Sequence, residues 1–114
     1  MPATVPIDLH LDVGVVRAGE GVGPALVEDL VPLAEQISED VGRVVDLTAS
    51  GGSDGPRRWV ELDCWLAGLA TVSASGSGRT VDQAFVEAKR ELLRGVAAVV
   101  VESRPSAAPR TGCA

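Results

Sequence analysis

The sequence predicts an α+β fold of order β-α-β-β-β-α, a four-stranded sheet with two helices packed on one face. Three observations predict it. Apolar and polar residues alternate with period two from Trp59 to Leu66; apolar side chains recur at helical spacing on either side of the strand region; and the apolar residues, 46% of the chain, include only one Phe, two Trp and no Tyr. A core of Val, Ala and Leu suits a sheet covered by helices on one side.

Val5, Ile7, Leu9, Leu11 and Val13 alternate with Pro6, Asp8, His10 and Asp12, which predicts a first strand with one buried and one wet face. Residues 17–23 contain three glycines and read as a loop. Pro24 then suits the first turn of a helix, where its missing N–H is not needed. Leu26, Leu30, Leu33 and Ile37 form its apolar stripe, with Glu28, Asp29, Glu35 and Glu39 toward solvent. Pro32 predicts a kink or break near Val31, and Gly42 a left-handed cap.

Val45, Leu47 and Ala49 mark the second strand, and the Gly- and Ser-rich residues 50–56 read as a hairpin loop. In the third strand Val60, Leu62, Cys64 and Leu66 share one face, while Trp59, Glu61, Asp63 and Trp65 share the other. Ala67-Gly68 reads as a tight turn, with Ala70, Val72 and Ala74 inward on the fourth strand. Gly76-Ser77-Gly78-Arg79 is a connection, and Thr80 with Gln83 forms a capping box. The last helix then buries Val81, Ala84, Phe85, Ala88, Leu92 and Val96. Residues 1–101 are expected to form one domain, and the Pro, Ser, Ala and Gly content of 102–114 predicts a disordered tail.

The net charge is −6, so contact with a phosphate backbone requires a local basic patch. Cys64 on an apolar face and Cys113 near the terminus make neither a disulfide framework nor a metal motif, and read as reduced cysteines of a cytoplasmic protein. No apolar run reaches membrane-spanning length.

No arrangement of residues predicts an enzyme, and no cofactor or metal is expected. Gly76-Ser77-Gly78 lacks both the third glycine of a dinucleotide fingerprint and a Gly-Lys-Ser/Thr ending, so it reads as a turn. His10 between Asp8 and Asp12 reads as a solvated strand face; a metal there requires a further ligand such as Asp46 from the neighbouring strand. Trp59 and Trp65 lie on the sheet face opposite the helices. They either anchor a protein interface, including a homodimer through the open sheet face, or fold over the sheet ends. Arg79, Lys89, Arg90 and Arg94, with Arg57 and Arg58 at a hairpin end, form either a basic strip or part of a mixed solvated surface.

The stretch from Ala74 to Arg94, Ala-Ser-Gly-Ser-Gly-Arg-Thr-Val-Asp-Gln-Ala-Phe-Val-Glu-Ala-Lys-Arg-Glu-Leu-Leu-Arg, resembles the ribosome hibernation-promoting factor family. That family shows a strand, a Gly, an Asp-x-Tyr-x-Ala-Ile-Asp run and a basic helix. Ala84 and Phe85 match its Ala-Ile, and Leu92 and Arg94 a later Leu-x-Arg; Thr80, Asp82 and Val86 replace its Asp, Tyr and second Asp. The likeness in element order extends over about residues 6–96. It implies a translation regulator that occupies the small ribosomal subunit under stress, holding ribosomal RNA with cations on both helices. Here no cation lies between Arg17 and Arg43, which leaves the second helix and the Arg57-Arg58 hairpin to make such contacts.

The same stretch is similar to the end of a double-stranded RNA-binding domain. That module's phosphate-gripping lysines fall at Val81 and Asp82 here, which cannot do that work. The alternative expectation is a non-enzymatic interaction or dimerisation module that keeps the fold without RNA binding.

Overall fold

The computed structural model describes residues 7–19, 22 and 24–103. It is an α+β fold with two helices and a five-stranded mixed sheet, one strand more than the sequence pattern suggests. The strands are β1 (Ile7–Leu11), β2 (Gly14–Ala18), β3 (Val45–Asp54), β4 (Arg57–Leu66) and β5 (Ala70–Gly78), and they lie side by side in that order. Helix α1 (Pro24–Val41) connects β2 to β3, which pair in parallel; every other neighbouring pair is antiparallel. Helix α2 (Val81–Ser103) follows β5.

The extra strand comes from a hairpin. Asp12 and Val13 form a two-residue turn, so the alternating run ends at Leu11 and Arg17 and Ala18 belong to β2 rather than to a loop. Val16 and Ala18 are buried on the side where α1 packs on β2. Gly14, which opens β2, sits so close to β3 that a Cβ there would overlap the Val45 carbonyl. Gly14 is therefore a packing requirement of the β2–β3 pairing.

The β3–β4 hairpin is also longer than expected. Residues 50–54 continue β3, and only Gly55 and Pro56 form the loop. With φ of +63° at Gly55 and a proline next, this is the kind of two-residue turn that matches strand twist. The β4–β5 turn is closed by the Leu69 N–H donating to the Leu66 carbonyl at 2.9 Å, with Gly68 left-handed. Gly76, Ser77 and Gly78 belong to β5, and the connection to α2 is reduced to Arg79 and Thr80.

Helix α1 runs unbroken through Pro32. Pro32 lies on the exposed side, so the Glu28 carbonyl that loses its helical donor is open to water. Gly42 ends the helix with φ +68°, its N–H bonded to the Ser38 carbonyl at 2.7 Å. At the start of α2 the Gln83 N–H donates to Thr80 Oγ1 at 3.1 Å, while Gln83 Oε1 accepts from the Arg79 N–H at 2.9 Å. The predicted box is present, with its return bond one residue earlier than usual. Glu102 and Ser103, expected in the tail, are helical; residues 104–114, with Cys113, lie outside the described residues, as does Val5.

Both helices cover one face. α1 lies over β2 and β3, and α2 over β4 and β5. The core pairs Leu30, Leu33 and Ile37 of α1, and Ala84, Ala88 and Leu92 of α2, with inward strand residues such as Leu47, Leu62 and Cys64. The tightest seam is α2 on β5: a Cβ at Gly76 would strike the Ala84 carbonyl and lie 2.5 Å from the Ala88 nitrogen, and one at Gly95 would lie 2.6 Å from Val72 Cγ1. Gly76→Ala therefore forces the helix off the strand and should lower unfolding free energy by about 2–3 kcal/mol, read as an earlier urea midpoint. Gly42→Ala meets open space and only a left-handed backbone, so about 1 kcal/mol is expected.

Candidate functional site

The β3–β4 hairpin and the short β5–α2 connection end at the same corner. Arg57 Nη2 donates to Ser77 Oγ at 2.7 Å, and Pro56, Arg57, Gly78, Arg79 and Gln83 line one concavity. Two cations 22 positions apart in the chain thus share a surface. Strand alternation sends Arg58 to the opposite side of the hairpin from Arg57, so the sequence doublet does not act as a unit. Thr80 and Gln83 already satisfy two backbone donors at this helix end, which leaves the guanidinium groups as the main positive charge.

The remaining predicted cations lie along α2. Arg90 and Arg94, four residues apart, are exposed, and Arg94 forms a 3.0 Å ion pair with Glu91. Lys89 and Arg90 both line a groove between the helices, where Asp29 and Pro32 of α1 face Asp82 and Phe85 of α2. Asp29 is the α1 carboxylate that lines this groove, and Glu28, Glu35, Glu39 and Asp40 of α1 are exposed as well. The six residues thus divide into a corner (Arg57, Arg79, with Arg58 behind) and a helix strip (Arg90 and Arg94 exposed, with the half-buried Lys89 beside Arg90 at the groove).

Among the described residues, no helix covers the other sheet face. Trp59 and Trp65 stand on it, 40% and 47% exposed and about 20 Å apart along β4. Trp59 lies flat across Gly52 of β3; a Cβ at Gly52 would come within 2.8 Å of the indole. It is thus both seated and exposed. Trp65 stands between Asp46 and Thr71 in register. Between the two indoles the face is polar, with Ser73 Oγ donating to Asp63 Oδ1 at 2.6 Å. Thr48, Ser50, Thr71, Ser75 and Ser77 share this face by alternation, a hydroxyl field that the hydrophobic pattern does not single out.

The histidine arrangement does not form. His10 and Asp46 belong to the same cross-strand row, but β2 intervenes and places Val15 between them, a separation of about 10 Å. Among the described residues no three His, Cys, Asp or Glu side chains gather. No described helix is long and apolar enough to cross a membrane.

Cys64 is fully buried under the helices. Burial, and secondarily the Asp46 charge, push its thiol up from 9.0 to about 12. A neutral buried thiol is a poor nucleophile. In the unfolded chain the thiol ionises near 9.0, so the unfolded state gains as pH rises and stability falls between pH 9 and about 12. The cysteine contributes a slope approaching about 1.4 kcal/mol per pH unit there. Unfolding measured against pH should show this component in the native protein and lose it in Cys64→Ala. No protein-family model matches the chain, and no curated protein matches it.

Proposed function

We propose that this is a ribosome-associated, hibernation-factor-like protein that contacts RNA of the small subunit and modulates translation. The observation that carries the reading is the meeting of Arg57 and Arg79 at the corner where α2 begins, with Arg90 and Arg94 continuing along the same helix. Phosphate contacts need cations that converge on one surface. From β2 onward the elements run β-α-β-β-β-α with both helices on one face, the order that the resemblance of Ala74 to Arg94 implies. The acidic exposed side of α1 confines the contact to the α2 side and makes it weak at raised salt. In a sucrose gradient the protein should sediment with small subunits at low salt and leave them at moderate salt. Arg57→Glu/Arg79→Glu and Arg90→Glu/Arg94→Glu should each abolish co-sedimentation; protein that stays at the top of the gradient at low salt defeats the reading.

A second reading rests on the two half-exposed indoles of the open face, which suit a protein-interaction or dimerisation module. Its self-association form requires the oligomeric mass in light scattering to fall in Trp59→Ser/Trp65→Ser. An unchanged mass leaves the face to a different protein.

A further inference from the structure

The two edges of the sheet differ. β1 has five residues, while β5 has nine and carries no charge and no proline from Ala70 to Gly78. Its register with β4 is continuous, without a bulge. Charges, prolines and bulges are the devices that ordinarily keep an edge from pairing. One bond shows which way its backbone groups point. The Ser77 N–H donates to Glu87 Oε1 of α2 at 3.2 Å, so it turns away from β4. Alternate residues of an antiparallel strand point the same way, so Thr71, Ser73 and Ser75 also turn N–H and C=O outward. Among the described residues, no strand pairs with that side.

The helix above the edge supplies charges in a matching order. Gly76 lies beneath residues 84–88 and Val72 beneath Gly95, so α2 runs antiparallel to β5 and the stretch around Glu91 lies over Ala74. Glu87 and Arg94 flank that midpoint on the same outer side, at nearly equal distances.

We propose that a second copy of the chain pairs with β5 in antiparallel fashion about a two-fold axis beside Ala74, joining two sheets into one. In this register Ser73 exchanges both backbone bonds with Ser75 of the copy, and Thr71 pairs with Ser77. Glu87 leaves the Ser77 N–H, which takes the Thr71 carbonyl of the copy instead, and meets Arg94 of the copy. The two-fold repeats this charge pair, and it brings the two Glu91 side chains, each held by its own Arg94 at 3.0 Å, near the axis. Both open faces stay on one side of the joined sheet, which leaves the indoles uncovered.

Sedimentation equilibrium of the full chain over a concentration series tests this. The mass should approach twice that of the chain. Ser75→Pro removes one outward N–H at a position where an edge strand tolerates proline, and should give a monomer with unchanged far-UV circular dichroism. Arg94→Glu should weaken the dimer by about tenfold, and Glu87→Arg/Arg94→Glu should restore it to within about threefold. Trp59→Ser/Trp65→Ser should leave the mass unchanged. A monomer at every concentration overturns the proposal. So does a dimer that survives Ser75→Pro, that is not recovered by the charge exchange, or that is lost with the indoles.

Discussion

The seating of α2 directly on the backbone of β5 is the contact on which the rest of the structure depends. Ala84 and Ala88 meet Gly76, and Gln83 meets Gly78, with Cβ positions on the strand side left vacant. A helix held that close has almost no freedom to slide or roll. Its inner stripe must then be small, and it is: Ala84 and Ala88 are fully buried against β5, while the larger Phe85 borders the groove between the helices. The same contact decides which residues face out. Arg79 is delivered beside Arg57, Arg90 and Arg94 project to solvent, and Glu87 reaches the free side of β5. A larger residue at Gly76 would alter all three surfaces together.

The sheet depends on a second close approach. Gly14 lets β2 lie against β3 in parallel, and α1 has to span the return between them. With aromatic content limited to one Phe and two Trp, the covered face closes on Val, Leu and Ala at short interelement distances. Glycine at the crossings is how such a core avoids voids. Both indoles are therefore left for the uncovered face, where Trp59 uses the missing side chain of Gly52 as its seat.

Most of the covered face was legible in the sequence, because burial imposes period two on strands and 3.6 on helices. The stripe of α2, the inward set Val60, Leu62, Cys64 and Leu66, and the Thr80–Gln83 cap follow directly from residue type and spacing. Glycine was where the reading failed. Gly52 and Gly76 read as turn or connection signals in the sequence, yet each lies in a strand beneath a neighbour's backbone or ring, and Gly14, which carries no such signal, does the same. Glycine is equally suited to turning and to close approach, and local sequence does not separate the two. Pro32 misled for a related reason: the carbonyl it orphans faces water, a circumstance set by helix orientation. Of the candidate cations, Arg57 and Arg79 converge only through the hairpin register, and strand alternation divides the apparent Arg57-Arg58 pair.

Charge placement then restricts how any large anion approaches. Asp29 of α1 stands across the interhelical groove from Lys89 and Arg90, the other α1 carboxylates are exposed, and Arg94 is exposed farther along α2. A polyanion meeting α1 first is repelled, and one arriving along the outer side of α2 runs toward the Arg57–Arg79 corner. Glu91, paired to Arg94, and Glu87 temper the strip, so attraction grows toward the corner rather than being uniform along the helix. Overall acidity and a cationic corner are therefore compatible. For a polyanionic partner, the carboxylates of α1 would disfavour contact on that side, so orientation would come from repulsion as much as from attraction.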